Sequence, residues 1–241
     1  MNRWGEKRYH SMDYDLKQLY GEKVYKITLN GGMTCPNRDG KIGHGGCIFC
    51  STAGSGDFAG PATYSITKQL AMGKENLTKK RPVHSYIAYF QAFTNTYAPV
   101  EYLRQIYMEA IQDPDVQILS IATRPDCLPD DVLQLLEEIN QIKPVWVELG
   151  LQTIHPQTAN YIRRGYPLEV FEEAVNNLRK RNISVITHTI LGLPGENEDM
   201  MLETIDYLNK MDIQGIKLQL LHILKGTDLA LDYEKQPFWS P

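Results

Sequence analysis

The stretch Val24-Tyr-Lys-Ile-Thr-Leu29-Asn-Gly-Gly-Met-Thr-Cys35-Pro-Asn-Arg-Asp-Gly-Lys-Ile-Gly-His44-Gly-Gly-Cys47-Ile-Phe49-Cys50 joins a short apolar run to a loop carrying three thiols. Val24 to Leu29 reads as a strand bounded by turn-forming residues. Cys47 and Cys50 stand three apart, so a tight turn places both sulfurs on one side, and the glycines at 40, 43, 45 and 46 let the long connection from Cys35 fold back. Three thiolates suit three irons of a 4Fe-4S cluster and leave the fourth iron open to a ligand. His44, three residues before Cys47, keeps a structural zinc site of three cysteines and one histidine open by the same spacing. Loop thiols with no shared task are the third reading.

Working outward, five further apolar runs follow: Ser85 to Phe90, Gln117 to Ala122, Val145 to Leu149, Ser184 to Leu191 and Gly215 to Leu220. Each is nearly continuous in apolar character, as in strands covered on both faces. Between them lie stretches of helical spacing. From Leu168 to Asn182, Val170, Phe171, Ala174, Val175 and Leu178 share a stripe, and from Pro129 to Ile142 the stripe is Val132, Leu133, Leu136 and Ile139, with Pro144 as a stop. Six β-α units around a parallel sheet are expected. The interval from Thr34 to Lys68 lacks periodicity and is rich in Gly, Asn, Asp and Ser; a loop of that length holding three of the four cysteines points to function. Cys127, outside the trio, reads as a small buried hydrophobe.

The chain has 241 residues, with 25 basic and 29 acidic side chains and a formal net charge of -4. A core of this size needs no disulfides, no run reaches the ~18 apolar residues of a membrane span, and Met1 to Lys17 lacks the apolar centre of a secretory signal, so a cytoplasmic protein is expected. The mild acidity excludes nucleic-acid binding by bulk charge alone. Gly54-Ser-Gly56-Asp-Phe-Ala-Gly60 has neither the spacing nor the preceding strand of a dinucleotide fingerprint.

A three-cysteine loop after the first strand of a six-unit β-α chain, with Phe49 just before the third cysteine, resembles the radical S-adenosylmethionine (SAM) superfamily. The eleven residues between Cys35 and Cys47 exceed its commonest spacing and resemble those of YhcC/YtqA-type members; a lengthened loop also occurs in the catalytic subunit of Elongator. Thr123-Arg124-Pro125-Asp126 is similar to a run in Elongator-type proteins, with Ala122 where Glu is common. Glu148-Leu-Gly150-Leu-Gln152-Thr, followed by Arg163-Arg164-Gly165, resembles the superfamily's Glu-x-Gly-x-Gln-Ser motif and its later Arg, and Gly192-Leu-Pro194-Gly195-Glu196 resembles its Gly-Leu-Pro-Gly-Glu segment near the adenine. All these runs fall at the carboxyl ends of strands, where β-α barrels build their sites.

The resemblance, covering Lys23 to about Gly226, implies a partial (β/α)6 TIM-like barrel within a single domain over 1-241, with an N-terminal arm at 1-22. The C-terminal segment, ending Gln236-Pro-Phe-Trp-Ser-Pro241, is short for YhcC/YtqA-type chains. It further implies a 4Fe-4S cluster on Cys35, Cys47 and Cys50, and SAM against Thr123, Gln152, Arg164 and Gly192, with Phe49 beside cluster or adenine. Gln91 or Thr94 would stand in for the Gly-Gly-Glu segment by which many relatives hold the SAM amino group. An electron from a donor such as flavodoxin or ferredoxin would cleave SAM and yield a 5'-deoxyadenosyl radical. The Elongator likeness implies a tRNA wobble uridine as substrate; a small molecule such as a porphyrin precursor, or a peptide, is the alternative, and a zinc-stabilised, non-catalytic binding module is the reading from another class. The aromatic, amide-rich Tyr89 to Tyr97 could stack a nucleobase, and basic residues cluster at Lys79-Lys80-Arg81, at Arg179-Lys180-Arg181 and at Arg3, Lys7 and Arg8.

Overall fold

A computed structural model describes residues 4–54, 56, 58–79 and 82–238. Six parallel strands run in sequential order: β1 (Tyr25–Leu29), β2 (Tyr86–Phe90), β3 (Val116–Thr123), β4 (Val145–Gln152), β5 (Ser184–Leu191) and β6 (Gly215–Leu220). They form a half-barrel. All six expected strands are present; β4 runs on to Gln152, so the Glu-x-Gly-x-Gln motif is itself strand.

The convex face of the sheet is covered by helices. α2 (Ile66–Thr78), α3 (Val100–Gln112), α4 (Asp130–Asn140) and α6 (Leu168–Arg179) bury their apolar stripes against Ile27, Leu29, Ala88, Phe90, Leu119, Ile121, Val147 and Val185 in one cluster. The stripes read from α4 and α6 are the buried ones, except that Val170 is only half-buried. The loop between β4 and α6 carries α5 (Pro156–Tyr161), α7 (Glu198–Leu208) follows β5, and α8 (Asp228–Lys235) follows β6. No helix among the described residues is long and apolar enough to cross a membrane.

The concave face is finished differently. α1 (Met12–Tyr20) starts at Ser11, whose side chain accepts from the Tyr14 amide, and stops at Gly21, whose φ of 74° suits a residue without Cβ. Its Leu16 and Tyr20 pack with Val24, Ile87, Tyr89 and Ile118, so the N-terminal arm plugs the amino end of the half-barrel.

Of the basic clusters, Arg179-Lys180-Arg181 and Lys79 lie on the helix side of the sheet, away from the carboxyl ends of the strands. Arg179, Lys180 and Arg181 follow α6 and precede β5; Arg179 is ion-paired with Asp212 and Arg181 with Glu137. Lys79 pairs with Glu75 at the end of α2, while Lys80, Arg81 and Arg3 lie outside the described residues, as do Ser55, Asp57 and 239–241. Among the described residues, Lys79, Arg179 and Arg181 are thus spent in ion pairs away from the strand ends rather than set around them to hold RNA.

The α2–β1 contact sets two effects in opposition. Alanine normally gains about 1 kcal/mol over glycine inside a helix. At Gly73, however, a methyl would meet Ile27 Cγ1 at 3.2 Å and press closer still on Cγ2. Overpacking costs about 1–3 kcal/mol. Gly73→Ala is therefore expected to lower the urea unfolding midpoint, and to lower it less in an Ile27→Ala background, where both crowded γ-carbons are gone; a higher midpoint for the single variant would show that α2 shifts freely.

Candidate active site

At the carboxyl ends of the strands a cleft of about 290 Å³ opens, lined by Cys35, Cys47, Cys50, Phe49, Gln91, Thr94, Thr123, Gln152 and Arg164 among others. The cysteine loop is built from turns: the Cys35 carbonyl accepts from the Arg38 and Asp39 amides at 2.8 and 3.1 Å, and that of Cys47 from the Cys50 amide at 3.0 Å. Buried Asn37 clasps it, donating from Nδ2 to the Arg163 carbonyl at 2.6 Å and to Cys47 Sγ at 3.6 Å. Gly46, at φ 85°, leaves room for Arg38, whose Nε would lie 2.9 Å from any Cβ there; Arg38 donates to the carbonyls of Cys50 and Ser51. Phe49 packs with Ile48, Ile162, Leu193, Leu221 and Leu229 beneath the loop.

The zinc arrangement of three cysteines and His44 is not formed. His44 is exposed, bridges back to Asp39 and lies over Gly40, outside the cleft. Among the described residues no three His, Cys, Asp or Glu side chains are gathered as ligands of one ion. Three thiols around one cleft suit a larger body, since cluster irons each take one sulfur. Burial pushes the Cys47 thiol up to about 11, with Cys50 adding to the effect and Arg124 opposing it. Such a thiol stays protonated until a metal takes it as thiolate. Cys127 lies apart in a second cavity, its thiol pushed up to about 12 by burial and by Asp126.

Gln152 carries the clearest signs of use. A register shift in the β4–β5 ladder precedes it, its φ is 65°, and its Oε1 is buried without a hydrogen-bond partner. A Cβ at Gly150 would lie 2.8 Å from Gln152 Nε2, so the glycine in the motif makes room for this amide. A left-handed non-glycine residue and an unpaired buried acceptor both cost free energy and point to an absent partner.

The other expected contacts are more committed to structure. Thr96 donates to the Cys127 carbonyl at 2.5 Å, so Thr123 must donate its own proton to Thr96, also at 2.5 Å, and offers the cleft an acceptor only. Arg164 donates from Nη1 to the Leu151 and Thr153 carbonyls at 3.1 and 2.7 Å and from Nε to that of Tyr166 at 3.1 Å. Arg124 is paired with Asp126 at 2.7 Å and donates to the Arg164 carbonyl at 2.9 Å, so the Thr-Arg-Pro-Asp run braces Arg164. Gly192 is not brought to the cleft: it is buried behind the rim with its amide donating to Met201 Sδ at 3.2 Å. In Tyr89 to Tyr97, Tyr89, Gln91, Phe93 and Thr94 line the cleft, whereas Asn95 and Thr96 are buried and hydrogen-bonded as packing.

Sequence reading missed the cleft's floor. Glu148, with 0% exposure, accepts at Oε1 from Lys26 and, at 2.6 Å, from Ser120; its Oε2 accepts from His188 Nε2 at 2.7 Å and lies 3.7 Å from Lys217 Nζ. Lys217 also donates to the Tyr89 hydroxyl at 3.2 Å, and both lysines lie over the Tyr89 ring. Each strand thus contributes one polar side chain. Burial alone would raise the Glu148 carboxyl, but the His188 hydrogen bond and the two ammoniums hold it well below the carboxylate range. Burial lowers His188, against the pull of Glu148 and with the help of both lysines. The available signal was a lone ionisable residue in each of four apolar strands.

The model of the Radical SAM superfamily matches residues 35–208, more than half of the chain, which therefore belongs to that superfamily. Within it, the chain is 53% identical over 230 residues to YtqA of Bacillus subtilis, covering 95% of this chain and 71% of that protein. It is also 27% identical over 118 residues to the tRNA-2-methylthio-N(6)-dimethylallyladenosine synthase of Fusobacterium nucleatum, covering 48% of this chain and 27% of that one. Among solved structures, Elp3 of Methanocaldococcus infernus superposes with a TM-score of 0.66 at 17% identity, over 90% of this chain and 50% of that chain, so this chain spans about half its length. These similarities bear out the half-barrel and the YhcC/YtqA-type likeness read from the cysteine spacing.

The floor and Gln152 each set a stability test. Glu148 contributes stability that is fully present above the ordinary carboxylate value of about 4.3 and is lost as pH falls from there through its depressed folded value. His188 binds its proton less readily folded than unfolded, so stability also falls as pH drops below about 6.5. The urea midpoint is expected to decline in these two stages, with His188→Gln flattening the first. Glu148→Leu, which strands two ammoniums, should cost about 3–5 kcal/mol. Gln152→Gly, by contrast, should raise the unfolding free energy by about 1 kcal/mol, and the urea midpoint with it, since the left-handed backbone then costs little.

Proposed function

We propose that this radical SAM protein holds a 4Fe-4S cluster on Cys35, Cys47 and Cys50, binds SAM beside it, and remodels a carbon substituent on a tRNA wobble uridine. The observation that carries the cofactor reading is Gln152: a strained backbone and an unpartnered buried acceptor on the cleft that the three thiols share. The donor set fits, since soft thiols without competing carboxylates at their level favour iron-sulfur over hard cations. Cys35, Cys47 and Cys50 would hold the cluster, which would supply the electron for reductive cleavage of SAM and so radical chemistry at a substrate carbon.

The chain's own residues bind, orient and exclude water. Gln152 Oε1 accepts from a ribose hydroxyl, and Thr123 Oγ1, its proton spent on Thr96, accepts a second donor. Arg164 keeps its position through three backbone carbonyls, and so acts chiefly as a fixed positive charge toward the SAM carboxylate. Phe49 and the apolar cluster under it close the loop side to water, which a carbon radical requires. The tRNA part is supported by the similarity to an enzyme whose name places its chemistry on tRNA and by the Thr123-Arg124-Pro125-Asp126 run. Exposed Lys41 and Lys225 carry positive charge on loops past the strand ends, which supports contact with a phosphate backbone.

Anaerobic reconstitution with iron and sulfide is expected to give a brown protein with broad absorption near ~400 nm, lost on replacing Cys35, Cys47 or Cys50 by Ala. Gln152→Ala should keep that absorption and weaken SAM binding about tenfold, as loss of a buried hydrogen bond does. Stoichiometric zinc with no iron uptake would overturn the cluster. For the substrate, tRNA from a deletion strain should lack one modified wobble nucleoside; unchanged nucleosides would transfer the chemistry to a small molecule or peptide.

A further inference from the structure

We propose that the floor of the cleft is a subsite for a compact oxyanion, a carboxylate or phosphate carried by the substrate, with Lys217 as its direct partner. The inference rests on the radical SAM reading for what enters the cleft, and on charge for what the floor selects.

Two ammoniums, Lys26 and Lys217, face one carboxylate, Glu148. His188 adds no negative charge, and burial beside both lysines keeps its ring neutral near neutral pH. One positive charge is therefore left over. The carboxylate cannot answer it further, because its oxygens already accept from Lys26, Ser120 and His188. Lys217 is the less satisfied ammonium: at 3.7 Å from Glu148 Oε2 it is beyond hydrogen-bond reach, and the Tyr89 hydroxyl at 3.2 Å takes one of its three protons.

Among the described residues nothing else balances the surplus. Below the floor, Leu16, Ile87 and Ile118 form an apolar plug. Around it, Glu148 is the sole carboxylate among the described residues lining the cleft, against Arg38, Arg124, Arg164 and Lys217. Arg38, Arg124 and Arg164 are bound to backbone carbonyls or to Asp126 at the level of the cysteine loop and of the residues past Gln152. Lys217 pairs in register with His188, and His188 with Gly150, one pleat below Gln152. Lys217 keeps 36% of its side-chain surface open and lines the cleft, so its charge is within reach of what enters there. It faces open space in which a bound oxyanion could take two ammonium protons and approach the neutral His188 ring, whose Nε2 is already committed to Glu148.

The test follows the His188 imidazole by NMR in the full chain, using inorganic phosphate and acetate as separate probes. Either is expected to displace the His188 signal and raise its pKa, and the more effective one tells phosphate from carboxylate. Lys217→Met should weaken that binding about tenfold and Lys217→Arg should restore it, as for a charge-assisted hydrogen bond. No displacement of His188 by either probe at high millimolar concentration, or equal affinity in Lys217→Met, overturns the subsite. Displacement by SAM itself, with affinity lost in Lys217→Met, also overturns it, by giving the charge to the SAM carboxylate. Iron uptake and SAM binding measured on the same samples keep the two readings apart: if both are normal while the anions do nothing, only the subsite falls, and if both fail while the anions bind, only the cofactor reading falls.

Discussion

Glu148 is fully buried yet ionised, and it remains so only because neighbouring strands bring it donors: Lys26 from β1, Ser120 from β3, His188 from β5, with Lys217 from β6 close by. An unpaired carboxylate there would cost several kcal/mol. The curvature of the sheet answers that constraint. Strands laid flat would place β1 and β6 at opposite edges, whereas here both send an ammonium to one carboxylate on β4. The network thus clasps the two ends of an unclosed sheet across its concave face.

Everything above and below this level is arranged around it. Below, the interior is apolar and capped by α1, so no water reaches the ions from that side. Above, each strand ends in a residue or loop that lines the cleft: the thiol loop after β1, Gln91 and Phe93 after β2, Thr123 on β3 and Arg124 after it, Gln152 on β4, Ile190 on β5, and Leu221 and His222 after β6. The order of polar floor, strained rim and thiol loop follows from parallel strands alone, because parallel topology puts all carboxyl ends on one side.

The fold was legible because its signals are local. Apolar runs bounded by turn residues named all six strands, and the stripes in α4 and α6 named their buried faces. The thiol loop was equally plain, since cysteine spacing survives without knowing the fold. What escaped was non-local. Lys26, His188 and Lys217 each look like a single polar interruption in a strand, and only closure of the half-barrel brings them to Glu148 across more than a hundred residues for Lys26. Gly192 shows what a motif leaves open: its run is intact, and the turn at φ 82° faces its amide to Met201. A motif fixes which residues stand near one another along the chain, and the turn decides which way their groups point.

Net charge proves a poor guide to this site for the same reason. The chain is acidic overall at -4, yet the cleft is cationic. The imbalance is possible because many carboxylates are spent outside, as at Glu198 and Asp199 in the first turn of α7, Asp130 and Asp131 in that of α4, and Glu75, Glu137 and Asp212 in surface ion pairs. The arginines facing the cleft are instead tied to backbone carbonyls, which hold a guanidinium without cancelling its charge, and Arg124 alone has a carboxylate partner. Charges screened outside over about 8–10 Å of salt solution add little to the potential within, whereas buried ones act at much lower dielectric. The field at the thiols and at the floor is therefore set by a handful of buried groups, and an anionic ligand would meet a positive site in a negative protein.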